Sequence, residues 1–251
     1  MSIPILGTTI STKSKHEILE SIKSCFAKPG QQYICTVNPE MLLYGWKHSF
    51  YKKILNASII NTCDGTGALI ASGFTCSKYP GVDMMQDICA LAQSNNHSIY
   101  LLGSHNDTVL QTLVQTLTTT YPTLRIVGKH IGPNMTVDKK TLIIDTNEEV
   151  IDDIIDCAPD ILFVAFGFPK QEMWINTYLS SIPSVKLAIG VGGSFDYLSG
   201  AVSRAPIYIQ QVGLEWLYRV IKQPKRIMRI IKAILLFPIV VIYTKLLSYV
   251  K

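Results

Sequence analysis

The sequence predicts an α/β protein: a mostly parallel sheet with helices on both faces, followed by a C-terminal helical appendage. Three observations carry this expectation. Six short apolar runs are continuous rather than alternating, the pattern of strands covered on both faces. Segments of helical length separate them. The last 39 residues, from Gly213 on, differ in charge and hydropathy from everything before them.

The expected strands are Tyr33–Val37, Ala57–Asn61, Ser98–Leu102, Thr141–Ile144, Ile161–Phe166 and Lys186–Val191. The expected helices are Lys13–Ala27, Pro39–Ile54, Val82–Asn95, Asp107–Thr120, Glu148–Cys157 and Lys170–Ser181. Strand and helix alternate, which argues for a Rossmann-like sheet. At 48% hydrophobic and 16% charged, the 251-residue chain holds enough apolar surface for a full core, and disorder of the body is excluded. The six cysteines form no CxxC pair and no metal-like cluster with the five histidines, so free buried thiols are expected.

In a sheet of this kind the ligand sits beyond the C-terminal strand ends. Small or polar residues end or follow every expected strand: Thr36-Val-Asn38-Pro-Glu40, Cys63-Asp64-Gly65-Thr66-Gly67, Gly103-Ser104-His105, Asp145-Thr146-Asn147, Gly167-Phe-Pro-Lys170-Gln171-Glu172 and Gly192-Gly193-Ser194-Phe195-Asp196. This is the composition of a polar site with close backbone approach, as a nucleotide requires. Asp64 is either a carboxylate offered to that site or an N-cap. Lys170, Gln171 and Glu172 cluster beside one strand end, and Asp196 either accepts from a nucleoside or caps a helix. A Walker A motif is absent, and Gly65-x-Gly67 lacks the third glycine of a dinucleotide fingerprint, which disfavours an NAD-type oxidoreductase.

The tail holds eight Lys/Arg and one acid, Glu215. Removing these from the chain's 23 basic and 18 acidic residues leaves a body of 15 and 17, so the net charge of +5 belongs to the tail. A basic, apolar tail fits an anionic membrane surface or a phosphate-rich ligand. Ala233–Thr244 is too short to span a bilayer and contains Pro238, so it is expected to lie on a membrane or a partner. Ile3 to Leu6 is too short for a secretory h-region, and a cytoplasmic location is expected.

Taken in order, several of these pieces resemble the bacterial WecG/TagA/CpsF glycosyltransferase family. They are Thr36-Val-Asn38-Pro-Glu40, Asp64-Gly-Thr-Gly67, Pro80-Gly-Val-Asp83, Tyr100-Leu-Leu-Gly103, Pro159-Asp160, Gly167-Phe-Pro-Lys-Gln-Glu172, Gly190-Val-Gly-Gly-Ser-Phe-Asp196, Arg204-Ala-Pro206 and Gly213-Leu-Glu-Trp-Leu-Tyr-Arg219. The resemblance implies an inverting, metal-independent transfer of a hexose or N-acetylhexosamine, best N-acetylmannosamine, from a UDP-sugar to a polyprenyl-diphosphate-linked sugar. It also implies a body over 1–212, and an appendage over 213–251 that closes the site and docks on the inner face of the plasma membrane.

By the same resemblance Asp64 is the general base, and Thr36, Asn38 and Gln171 are polar active-site residues. Arg219, Arg226 and Arg229 hold the donor diphosphate by that resemblance. From their places after the strands, Gly103, Gly167, Gly192, Gly193 and Asp196 are expected to face the donor, and Lys78 and Asp83 are expected at the acceptor. Lys78 stands where many members have Arg, and Gly132-Pro133-Asn134 replaces a common Gly-Tyr/Phe pair. A homo-oligomer is implied, with no cofactor, metal or nucleic-acid partner. Two other readings stay open: another hexose such as glucose, and a non-catalytic nucleotide-sugar-binding module at the membrane.

Overall fold

The computed structural model describes residues 1–104, 106–138, 141–144, 148–222, 227 and 231–249. The chain opens on a hairpin of β1 (Ser2–Ile5) and β2 (Thr8–Ser11), absent from the expected elements and joined through Leu6 and Gly7, both at positive φ. A capping box starts α1 (Lys15–Phe26): the Glu17 N–H donates to Ser14 Oγ and the Ser14 N–H to Glu17 Oε2. β3 (Gln32–Val37) then leads into α2 (Pro39–Lys47) and α3 (Ser49–Ala57). The sequence predicts one helix there; His48, at φ −123° and ψ 98°, divides it.

β4 (Ile60–Cys63) starts three residues later than expected. Two of its buried residues are polar, which hides the strand from a hydropathy reading. Asn61 Nδ2 donates to the carbonyls of Thr9 and Leu55, and Thr62 Oγ1 to that of Tyr79. There follow α4 (Thr66–Ala71), α5 (Gly81–Ser94), β5 (Ser98–Leu102), α6 (Asp107–Thr120), β6 (Arg125–His130), β7 (Met135–Asp138), β8 (Thr141–Ile144) and α7 (Glu148–Cys157). The remainder is β9 (Ile161–Val164), α8 (Lys170–Tyr178), β10 (Leu187–Gly190), α9 (Ser194–Leu198), α10 (Ile207–Gln211), α11 (Glu215–Lys222) and, after a π-helical stretch over Lys232–Leu236, α12 (Phe237–Tyr249).

Six strands form one parallel sheet in the order β4-β3-β10-β9-β5-β6. Thr141–Ile144 is not among them: it pairs antiparallel with β7 in a separate two-stranded ribbon. Side chains alternate across the sheet as the pleat requires. Ile34, Ile99, Leu101, Ile161, Phe163 and Ile189 pack with α1, α5, α6 and α9. Cys35, Val37, Tyr100, Leu102, Val164 and Ala188 pack on the other side, with α2, α3, α7 and α8. All six cysteines are free, and five are buried.

The end of the tail is divided between core and surface. Phe237, Val240 and Val241 of α12 are buried with Met41, Leu42 and Ala68 of α2 and α4. Ile239, Ile242, Tyr243, Leu246 and Leu247 point away, exposed. No described helix is long and apolar enough to cross a membrane. Phe237→Ala should remove about 3–5 kcal/mol of packing at this seam. Limited trypsinolysis should then cut at Lys245 in the variant well before the wild type; identical digestion patterns would contradict the docking of α12.

Candidate active site

The register of the sheet builds a stepped edge. Cys35 of β3 lies level with Gly190, which is level with Val164; Val164 is level with Leu102 and Leu102 with His130. β10, β9, β5 and β6 all stop at this level, whereas β3 and β4 continue two residues further, to the pair Val37–Cys63. The shorter strands therefore make a shelf, and β3 and β4 make a wall above it. Asn38 and Asp64 stand side by side at the top of the wall, about 5 Å apart at the strand spacing.

Asp64 is half-buried, and its N–H donates to Val37 O at 2.8 Å, extending the ladder one residue. It is not a helix cap. Gly65, at φ 95°, occupies the N-cap of α4, and that cap has no side-chain hydrogen bond. Asn38 does cap: its Oδ1 accepts from the Glu40 and Met41 N–H groups at 3.0 and 3.1 Å, with Pro39 opening the helix. What Asn38 can still offer the edge is its Nδ2.

The end of β10 is clasped from both faces of the sheet. On one face Thr36, 5% exposed, donates from Oγ1 to Gly190 O at 3.1 Å. A Cβ on Gly81 would lie 3.2 Å from Thr36 Oγ1 and 3.4 Å from Val191 O, so α5 begins with a glycine where it crosses this clasp. On the other face Gln171, 3% exposed, accepts from the Gly192 N–H through Oε1 at 3.0 Å and donates from Nε2 to Glu172 Oε1 at 2.6 Å. Tyr51 donates its hydroxyl to Glu172 Oε2 at 2.9 Å. Glu172 is wholly buried. Burial pushes its carboxyl above the ordinary value, against the lowering effect of the Gln171 and Tyr51 hydrogen bonds.

The expected acceptor residues are tied into a charge network with the tail. Arg204 makes a two-pronged bond to Asp83, Nη1–Oδ1 at 2.5 Å and Nη2–Oδ2 at 3.2 Å. Its Nε lies 3.5 Å from Glu215 Oε1, and Lys78 Nζ lies 4.0 Å from Glu215 Oε2. Thr66 Oγ1, two residues from Asp64, donates to Gly213 O at 3.2 Å. A Cβ on Gly213 would lie 3.0 Å from Thr66 Oγ1, so the tail starts flush against the Asp64 turn. Sequence reasoning assigns no role to Arg204 or Glu215, although both lie in stretches that carry the family resemblance and Glu215 is the single acid of a basic tail.

The shelf glycines differ in purpose. Gly103, at φ 106°, has a structural reason to lack a side chain, because a Cβ would lie 2.9 Å from the Ala165 carbonyl carbon. Gly167, at φ 73°, faces open space, and so do the surroundings of Gly192 apart from Gln171 Oε1 at 4.0 Å. Gly193 caps α9, which puts Asp196 in the first turn rather than at the cap. Gly132 lies over Phe166, whose ring leaves no room for a Cβ. The α11 backbone carries Arg219, but that side chain, like Arg226, Arg229, His105 and 145–147, lies outside the described residues.

An open parallel sheet with a half-buried carboxylate above a glycine-lined shelf places the chain in the α/β class whose ligands sit at the strand C-termini. The model of the "Glycosyl transferase WecG/TagA/CpsF family" matches residues 3–250, and the chain belongs to that family. It is 32% identical over 234 residues to the N-acetylglucosaminyldiphosphoundecaprenol N-acetyl-beta-D-mannosaminyltransferase of Staphylococcus aureus strain MW2, covering 91% of this chain and 87% of that protein. The protein of the same description from strain MRSA252 is 32% identical over 235 residues, with the same shares covered.

Two outcomes follow from the charges. A double-mutant cycle on Asp83 and Arg204 should return a coupling of about 1–2 kcal/mol in denaturant melts, and the Arg204–Glu215 cycle less than about 1 kcal/mol, since that pair is longer and single. Equal couplings would contradict the network. For Glu172, a folded-state value above the usual one makes protonation stabilising. That stability is complete below the ordinary value, 4.5, and is lost as pH rises through the folded value. Glu172→Gln should therefore gain stability relative to wild type as pH rises above 4.5; a pH-independent difference would contradict an elevated carboxyl.

Proposed function

We propose that the protein transfers N-acetylmannosamine from its UDP-sugar to an N-acetylglucosamine carried on a polyprenyl diphosphate, with inversion, in cell-surface polysaccharide or teichoic acid synthesis. The observation that carries this reading is Asp64, a half-buried carboxylate that caps no helix, standing beside Asn38 above the shelf. The names of the Staphylococcus aureus relatives supply the sugar and the acceptor.

In the proposed reaction the acceptor hydroxyl oxygen attacks C1 of the donor sugar while its proton passes to Asp64. The bond from C1 to the diphosphate oxygen breaks, and UDP leaves with the bonding pair. The departing diphosphate gains charge, and Arg219, Arg226 and Arg229 of the tail are the groups proposed to hold it; guanidinium forks match phosphate oxygens. Gly103, Gly167, Gly192, Gly193 and Asp196 are proposed to face the donor, and Lys78 and Asp83 the acceptor.

The body, 1–212, would then carry the shelf, and the appendage, 213–251, would complete the site. The exposed apolar residues of α12 and the basic charge of the tail support seating on the anionic inner face of the plasma membrane. A homo-oligomer fits the same exposed surface.

A donor panel of UDP-N-acetylmannosamine, UDP-N-acetylglucosamine and UDP-glucose on a GlcNAc-diphospho-lipid analogue tests the reading, with the product identified by mass and sugar analysis. Transfer of N-acetylmannosamine is expected. Preferred transfer of glucose would move the protein to the other sugar specificity, and no transfer from any donor would leave a binding module. Asp64→Asn should lower turnover by about 10²–10⁴ with UDP affinity by calorimetry unchanged. Near-normal turnover would remove Asp64 from the base role.

A further inference from the structure

We infer that Glu172 is a positioning residue for the transfer site: its buried carboxylate fixes the Gln171 amide so that Gln171 Oε1 holds the Gly192 N–H, and with it the glycine loop after β10. This inference rests on the proposed reading of the shelf as the place of transfer.

A primary amide has a donor end and an acceptor end, and the two are nearly equal in shape. A backbone N–H only donates, so the end of Gln171 that meets the Gly192 nitrogen at 3.0 Å must be the oxygen. The other end is then the NH₂, which donates to Glu172 Oε1 at 2.6 Å. The reversed amide would set oxygen against carboxylate and NH₂ against N–H. The carboxylate is itself oriented, because Tyr51 of α3 donates to its second oxygen at 2.9 Å. The order Tyr51, Glu172, Gln171, Gly192 thus runs from the helical layer along one face of the sheet to the shelf.

The strand is shaped for this arrangement. A Cβ on Gly190 would lie 2.7 Å from Gln171 Nε2 and 3.1 Å from Glu172 Oε1, so glycine is what lets both side chains lie across β10. Glu172 has no exposed surface, which bars it from touching substrate. Nor does stability account for it. Tyr33 and Cys35 of β3, Tyr51 of α3 and Gln171 of α8 are the groups that face it. A buried carboxyl among them is a poorer stabiliser than an apolar side chain of its size. Its two hydrogen-bonding neighbours give it a use that an apolar residue lacks.

The test is amide hydrogen exchange at Gly192 alongside steady-state kinetics on the full chain. Glu172→Leu removes the acceptor, and Gly192 exchange should accelerate about tenfold, the weight of one hydrogen bond, while Ile34 and Ile189 keep their protection. In the same variant kcat/KM for the donor should fall about tenfold with KM for the acceptor unmoved. Glu172→Gln keeps an oxygen for Gln171 and can turn its NH₂ to the Tyr51 hydroxyl, so it should restore both readouts to within about threefold.

If Glu172→Leu fails to fold, Tyr51→Phe serves instead. It loosens the carboxylate without opening a cavity, and Gly192 exchange should rise in the same direction. Unchanged Gly192 exchange, or equal acceleration at Ile34 and Ile189, overturns the inference. An inactive wild type would sink the functional reading and leave the Gly192 result standing.

Discussion

The site depends on where β10 stops. It is a central strand, paired to β3 on one side and β9 on the other, and it ends at Gly190, two residues below the end of β3. Had it run on, its backbone would have filled the shelf. Instead its last carbonyl and the N–H two residues further on are taken by side chains, Thr36 from one face and Gln171 from the other. Buried main-chain groups at a strand end need partners, and these two residues supply them. Thr36 and Gln171 thus form part of the architecture, and the shelf is as rigid as the layers that carry them. A loop held in this way can present bare backbone to a phosphate or sugar without a large ordering cost on binding.

A second constraint ties the tail to that shelf. Arg204 is shared between Asp83 at the start of α5 and Glu215 at the start of α11, and Glu215 also faces Lys78. Gly213 packs on Thr66, beside the Asp64 turn. The appendage is therefore anchored where the proposed base stands, and its far end is anchored again where Phe237 enters the core. In the sequence, the arginines assigned to the donor diphosphate by resemblance fall between these two anchors. The outer face of α12 is apolar and exposed; in the proposed reading, membrane contact and site completion belong to one segment.

What the sequence discloses follows the same physics. Ser98–Leu102 is read correctly because a strand buried on both faces is a continuous apolar run. Asp107–Thr120 and Glu148–Cys157 are read to the residue. β6 escapes notice because it is the edge strand, half-buried, and carries Arg125, Gly128, Lys129 and His130. Thr141–Ile144 has the hydropathy of a sheet strand, but hydropathy does not say which sheet. At the site, the residues at strand ends are legible because topology alone sends them to one edge: Asp64 and Asn38 just past β4 and β3, Thr36 in the last pleat of β3, and the glycines. Arg204, Glu215 and Tyr51 are not, because each acts through a partner 11 or more positions away in sequence, a pairing that no local pattern encodes.

The central claim is a single displacement at Asp64 above the β10 shelf, and the anomeric configuration of the transferred sugar tests it most directly. The proposed donor is a UDP-sugar, whose diphosphate would be axial and α-linked. With a GlcNAc-diphospho-lipid analogue as acceptor, NMR of the purified product should show the new linkage as β. An α-linked product would require a covalent intermediate or attack from the leaving-group side, and would contradict this account of the site.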